Sequence, residues 1–163
     1  MPVPTNTSPA TATELTADVV NTTVLADVQL APNGTGYTSN CRPSDPQRNA
    51  LWYKYTPSTN QKYISFGVVG IPTGANYAPY ANVWTGTPPG VTQYRIQNPV
   101  SLAFISMCGA MSGSASGTMY LYVPVTPGTT YYFQVQNDNS TAVDYDLSVI
   151  VKAAPVTQAR LGS

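Results

Sequence analysis

The stretch Ala50-Leu-Trp-Tyr-Lys-Tyr-Thr-Pro57 constrains the fold more than any other. It sets aromatic residues in an alternating run and ends on a proline, which cannot donate to a sheet ladder. Successive strand side chains point to opposite faces. Leu51, Tyr53 and Tyr55 therefore share one face, and Trp52 and Lys54 share the other. Only the first face is uniformly apolar, so it is predicted to meet the core. Trp52 is predicted to be half covered or to lie on an outer surface. The segment reads as a central strand of a two-sheet sandwich.

The same period of two recurs along the chain. Thr13–Val20 opens like a short helix, but Thr22, Thr23 and Val24 favour a strand, and Thr23–Leu30 reads as the first solid one. Pro32, Asn33 and Gly34 turn the chain into a long loop over residues 31–49. Lys62–Val69 follows the turn at Pro57–Asn60 and reads as a hairpin partner of the Trp52 strand, with Ile64, Phe66 and Val68 on one face. Tyr80–Thr85 is a strand stopped by Gly86-Thr-Pro-Pro-Gly90. Val91–Gln97 is the next, closed by Pro99, and Leu102–Cys108 reads as one short buried strand. Gly109–Gly117 is small and loop-like. Thr118–Val123 alternates Met119, Leu121 and Val123 with Tyr120 and Tyr122. Pro127 and Gly128 turn it back into Thr129–Gln136. Val143–Val151 is the last strand, with Val143, Tyr145, Leu147 and Val149 inward.

About eight strands punctuated by Gly, Pro and Asn, with no long helical period, predict an all-β, antiparallel two-sheet β-sandwich of jelly-roll or Ig-like kind. The domain is expected over residues 13–152. Residues 1–12, with Pro2, Pro4 and Pro9, read as an extended N-terminal arm, and residues 153–163 as a C-terminal tail.

Composition narrows the chemistry. Charged residues make up 9% of the chain, against the usual ~25%. Seven basic and seven acidic residues cancel, so no long-range charge draws the chain to nucleic acid or an anionic membrane. No histidine is present, which excludes Ser-His-Asp and Cys-His catalysis and removes the commonest metal ligand. The first residues carry neither a basic start nor an apolar run, so no secretory signal is expected. No segment approaches the ~20 apolar residues of a membrane helix. An enzyme is not expected, nor a cofactor.

Three weaker constellations remain. Cys41 and Cys108, if bridged, would close a long loop worth roughly 4 kcal/mol on chain entropy; the other reading is two separate thiols. Asp138 lies in a turn, and Asp144 and Asp146 share the outward face of the last strand; together they offer calcium oxygen ligands, or simply a solvated polar face. Trp52 and Trp84, with Tyr120, Tyr122 and Tyr132, form either an exposed aromatic surface for a sugar or a neighbouring subunit, or ordinary cross-strand packing. Twelve tyrosines against three phenylalanines suit such contact surfaces.

Several pieces together resemble the pre-peptidase C-terminal type of β-sandwich domain. The segment Asn6–Leu15 resembles its opening. Ala50–Pro57 is similar to its aromatic strand, and Val83-Trp-Thr-Gly86 to a strand ending in an aromatic-Thr-Gly turn. Val125–Val135 resembles its Gly-Thr-x-Tyr-Tyr strand, and Tyr145-Asp-Leu-Ser-Val149 its closing strand. The likeness runs over most of residues 6–151. The family's acidic loop after the aromatic-Thr-Gly turn is replaced here by Pro88-Pro-Gly90, which weakens a carried-over calcium or ligand role.

Such domains hang from secreted exoenzymes and also occur in bacteriophage tail and surface proteins. With no signal and no attached enzyme, the resemblance implies a bacteriophage structural protein, either a capsid decoration or a minor tail protein. It would be assembled in the host cytoplasm, shown on the virion surface and held in many copies by other virion subunits. The alternatives are a carbohydrate- or cell-surface-binding module, with a host glycan as partner and an extracellular location, and an accessory domain of a secreted hydrolase.

Overall fold

A computed structural model describes residues 4–23, 50–71, 79–86, 92–94, 96–97, 101, 104–106, 108–110, 117–137 and 146–154. After a 3-10 turn at Pro9–Thr11 come twelve strand segments. These are β1 (Thr13–Glu14), β2 (Asn21–Thr23), β3 (Ala50–Tyr55), β4 (Tyr63–Ile71), β5 (Pro79–Thr85), β6 (Thr92–Tyr94), β7 (Ile96–Gln97), β8 (Phe104–Ser106), β9 (Cys108–Ala110), β10 (Gly117–Pro124), β11 (Tyr131–Asn137) and β12 (Leu147–Lys152). One sheet runs β1-β3-β11-β5-β6, with β9 also on β5. The second runs β10-β4-β12-β2, and β7 and β8 form a small ribbon. All ladders are antiparallel except the short parallel pairing of β1 on β3. This is the expected β-sandwich, and among the described residues it contains no α-helix.

The core lies where the alternation places it. Leu51, Tyr53 and Tyr55 of β3 meet Ile64, Phe66 and Val68 of β4, Leu121 and Val123 of β10, and Leu147, Val149 and Val151 of β12 in one buried cluster. Phe66 and Phe133 stack across the two sheets, with centroids 4.3 Å apart and planes 7° from parallel. Such a pair is worth about 0.5–1.5 kcal/mol beyond the area it buries.

The connections differ from expectation. β3 and β4 are not a hairpin: β3 pairs with β11 in one sheet, while β4 pairs with β10 and β12 in the other. Nor do β10 and β11 pair back on one another. Both connections pass from sheet to sheet, and they bond to each other. Gly128 N–H donates to the Pro57 carbonyl at 3.1 Å, the Thr56 and Thr130 hydroxyls lie 2.8 Å apart, and Val125 N–H donates to the Lys62 carbonyl at 2.8 Å. Gly128 takes φ 81°, a conformation that only glycine adopts cheaply. Tyr131, at the start of β11, reaches back so that its hydroxyl accepts from Thr126 N–H at 2.8 Å, in the manner of a tyrosine corner.

Two further strands were expected whole and are divided. Val91–Gln97 breaks into β6 and β7, and Leu102–Cys108 into β8 and β9. The cause is competition for one edge of β5. β6 pairs with Val83–Thr85, β9 pairs with Tyr80–Asn82, and Ile96 turns away into the core to pair with β8. Val24–Leu30, the loop over 31–49, residues 111–116, and Val143 and Tyr145 lie outside the described residues.

Candidate functional site

The N-terminal arm is part of the fold. Pro4, Asn6 and Pro9 are buried, and the segment runs along the free edge of β3. Within a strand, alternate residues turn both backbone groups to the same side. Those of Trp52 face away from β11, and Asn6 takes both. Trp52 N–H donates to the Asn6 carbonyl at 2.8 Å, and Asn6 Nδ2 donates to the Trp52 carbonyl at 3.0 Å. Further along, Thr13 and Glu14 pair with Tyr53 and Lys54, and Leu15 N–H donates to the Lys54 carbonyl at 2.8 Å. The intervening bend closes on itself: Ser8 and Thr11 exchange backbone and side-chain hydrogen bonds around Pro9. Residues 4–12, the described part of the segment read from the sequence as an extended N-terminal arm, are thus held by their own domain. The physical reason is that an unpaired edge strand is costly to leave open.

This covering changes the aromatic surface. Trp52 is fully buried, Trp84 is 6% and Tyr132 8% exposed, and together with Ala50 they form a second apolar cluster against which Ala12 packs. Trp52 was expected half covered or outward; it does point away from the main core, but a second layer lies over it. The two indoles sit 6.0 Å apart, tilted by 48°. Gln134 lies in the strand between theirs, opposite Trp52 on one side and Asn82 on the other. Its Oε1 accepts from Trp84 Nε1 at 3.0 Å and from Asn82 Nδ2 at 3.4 Å. Asn82 and Gln134 were not singled out from the sequence. Their buried positions on an outward-facing row are the mark of a covered sheet face.

Tyr120 and Tyr122 do not join this cluster. They sit on the outer face of the other sheet, because Leu121 and Val123 point into the core. There Tyr122 stacks on Tyr63 with centroids 5.1 Å apart, and Tyr120 lies across Gly67. The five aromatics are therefore split between two opposed faces, and four of them, Trp52, Trp84, Tyr122 and Tyr132, are buried. A single exposed platform is not formed.

Of the calcium candidates, Asp146 is exposed just ahead of β12, while Asp138 and Asp144 lie outside the described residues. Among the described residues, no three His, Cys, Asp or Glu side chains converge as a metal site. Cys41 lies outside them too, and Cys108 is placed only by the backbone of β9, so the bridge is not addressed. Among the described residues no helix is long and apolar enough to cross a membrane.

One open hollow of about 300 Å³ lies beside the sheet-to-sheet crossing, lined by Gly86, Gly128, Thr129, Thr130 and Tyr132. Among the described residues its lining is neutral, with hydroxyls and backbone groups that can hydrogen-bond but no carboxylate or amine to move a proton at neutral pH. Two buried tyrosine hydroxyls are engaged within the protein: Tyr53 with Thr23 Oγ1 at 2.7 Å, and Tyr55 donating to Gln61 Oε1 at 2.8 Å. Burial pushes the Tyr53 hydroxyl above its ordinary range, with hydrogen bonds from Thr23 and Asn6 pulling back.

No protein-family model matches the sequence. No curated protein matches it. Among solved structures, the chain is similar to one described by the statement that CorA is a surface-associated copper-binding protein important in Methylomicrobium album BG8 copper acquisition. The two are 13% identical with a TM-score of 0.46, over 86% of this chain and 96% of that one.

Proposed function

We propose that this chain is a non-enzymatic structural protein of a bacteriophage particle, carried on the virion surface as a capsid decoration or minor tail protein. It is held there by contacts with other virion subunits. The observation that carries this reading is the use the fold makes of its polar and aromatic groups. Gln134, Asn82 and Asn6 bond within the sheet and its cover, the hydroxyls of buried Tyr53, Tyr55 and Tyr131 bond to Thr23, Gln61 and Thr126, and both indoles fill a buried layer. Groups that a reactive centre or a stacking platform would turn outward serve rigidity instead. A rigid, sparsely charged scaffold suits crowded repeated contacts between proteins. Mass spectrometry of purified particles, with and without a mild detergent wash, tests the proposal. The chain is expected at a fixed stoichiometry to the major capsid or tail protein, and its absence from intact particles would overturn the reading.

The adhesive alternative draws on the neutral hollow, where Thr129 and Thr130 hydroxyls stand beside the Tyr132 ring. It predicts glycan-array binding by the whole chain, weakened by Thr129→Val. Uniform silence across the array would remove it.

A further inference from the structure

We infer that residues 4–15 exchange between two copies of the chain, each copy's segment sealing the edge of β3 and the indole layer of the other. The segment is a separable unit. Its hydrogen bonds to the body run to one strand, through Trp52, Lys54 and the β1 pairing; Ala12 packs on the indole cluster and Leu15 anchors the segment in the main core. An identical segment from a second copy satisfies the same groups without any new surface.

The joint between segment and body carries the second observation. It spans residues 16–20, which take the chain from the edge of one sheet to β2 at the edge of the other. Asp18 sits there at φ 62°, and it alone among the described non-glycine residues has positive φ. That conformation is disfavoured for most residues with a side chain, and Asp is among the few that tolerate it as single residues. It is held by a clasp: Asp18 N–H donates to the Val151 carbonyl at 2.8 Å, and its carboxylate accepts from Ala153 N–H at 3.2 Å. Next to it stand Val19 and Val20, 53% and 51% exposed, the only large hydrophobics exposed among the described residues.

Opening relieves the positive φ and frees two solvent-facing valines for new partners, against the loss of the Asp18 bonds and of the packing of Ala17 on the core. Extended, the five residues span roughly 16 Å. Asp18 then returns to negative φ, and Val19 and Val20, both strand-favouring residues, continue β2 and meet their counterparts from the second copy. Exchange of an identical element in this way is a low-cost route to a dimer. The inference does not depend on where the protein acts.

The test uses the full chain in two single-site forms. Glu14 and Lys54 are ladder partners, so a disulfide between those positions reports whose segment lies on whose strand. Isotopically labelled Glu14→Cys chain is mixed with unlabelled Lys54→Cys chain at high concentration and oxidised. The cross-linked peptides are then read by mass spectrometry, which also distinguishes any bond to Cys41 or Cys108. A labelled-to-unlabelled bridge between positions 14 and 54 is the expected result. Its absence, while the double variant closes the same bridge within one chain, overturns the inference. A second arm uses Asp18→Pro, which forbids the closed φ and removes the N–H donated to Val151. It is expected to raise the dimer fraction about tenfold or more in light scattering. A folded, strictly monomeric Asp18→Pro chain would contradict exchange.

Discussion

Asn6 and Trp52 hold each other by two hydrogen bonds, one from the Trp52 N–H to the Asn6 carbonyl at 2.8 Å and one from Asn6 Nδ2 to the Trp52 carbonyl at 3.0 Å. A side-chain amide thereby completes what a neighbouring strand would otherwise supply. The pairing converts a proline-bearing arm into the outermost layer of the sandwich, and it closes the strand edge that other chains would find.

Asn6→Ala is therefore expected to cost more than a surface change. It strips a buried carbonyl of its donor, a loss of about 1–3 kcal/mol. The urea midpoint should fall, with the slope of the transition unchanged. A midpoint equal to that of the native chain would show that Trp52 does not rely on this partner.

Gly67 faces Tyr120 across the β4–β10 ladder. A Cβ there would stand 2.6 Å from Tyr120 Cε1 and 3.2 Å from Ile150 Cγ2. Gly67→Ala is expected to displace the Tyr120 ring and lower stability by about 1–3 kcal/mol. In the background of Tyr120→Ala the same change should cost much less. A double-mutant cycle reads that coupling directly, and additive losses would refute the contact.

Tyr53 gives the fold an alkaline limit. Burial raises its hydroxyl above the ordinary value of 10.0, so the folded chain keeps a proton that the unfolded chain has lost. That contribution is whole below pH about 10 and fades as pH climbs through the folded value. Tyr94 and Tyr122 are displaced in the same direction, chiefly by desolvation. Melting temperature should fall steeply above pH 10. Tyr53→Phe should flatten part of that fall while lowering stability at neutral pH, because the bond with Thr23 is lost.

The sandwich itself was legible in the alternation of single strands. Leu51, Tyr53 and Tyr55, or Ile64, Phe66 and Val68, declare a core face because a period of two leaves no other arrangement. What lay across the strands was not legible. Pro57–Asn60 and Pro127–Gly128 have the composition of turns, but turn chemistry does not say which sheet the chain enters next. The two connections cross together because they bond to each other, and the residues involved are distant in sequence. The fate of Trp52 was hidden for a similar reason. Ala12 packs on its cluster and Asn6 bonds its backbone, and these belong to a segment with no hydrophobic period that reads as an extended arm. Buried Gln134 shares that obscurity, since a polar residue in an alternating strand reads as outward and wet.

Both tryptophans of the chain, Trp52 and Trp84, belong to the covered layer, so fluorescence tests the central claim without any label. The native chain should emit at short wavelength and resist quenching by acrylamide, and removing residues 1–15 should shift the emission to the red and open both indoles to quencher. Long-wavelength, freely quenched emission from the intact chain would contradict the account.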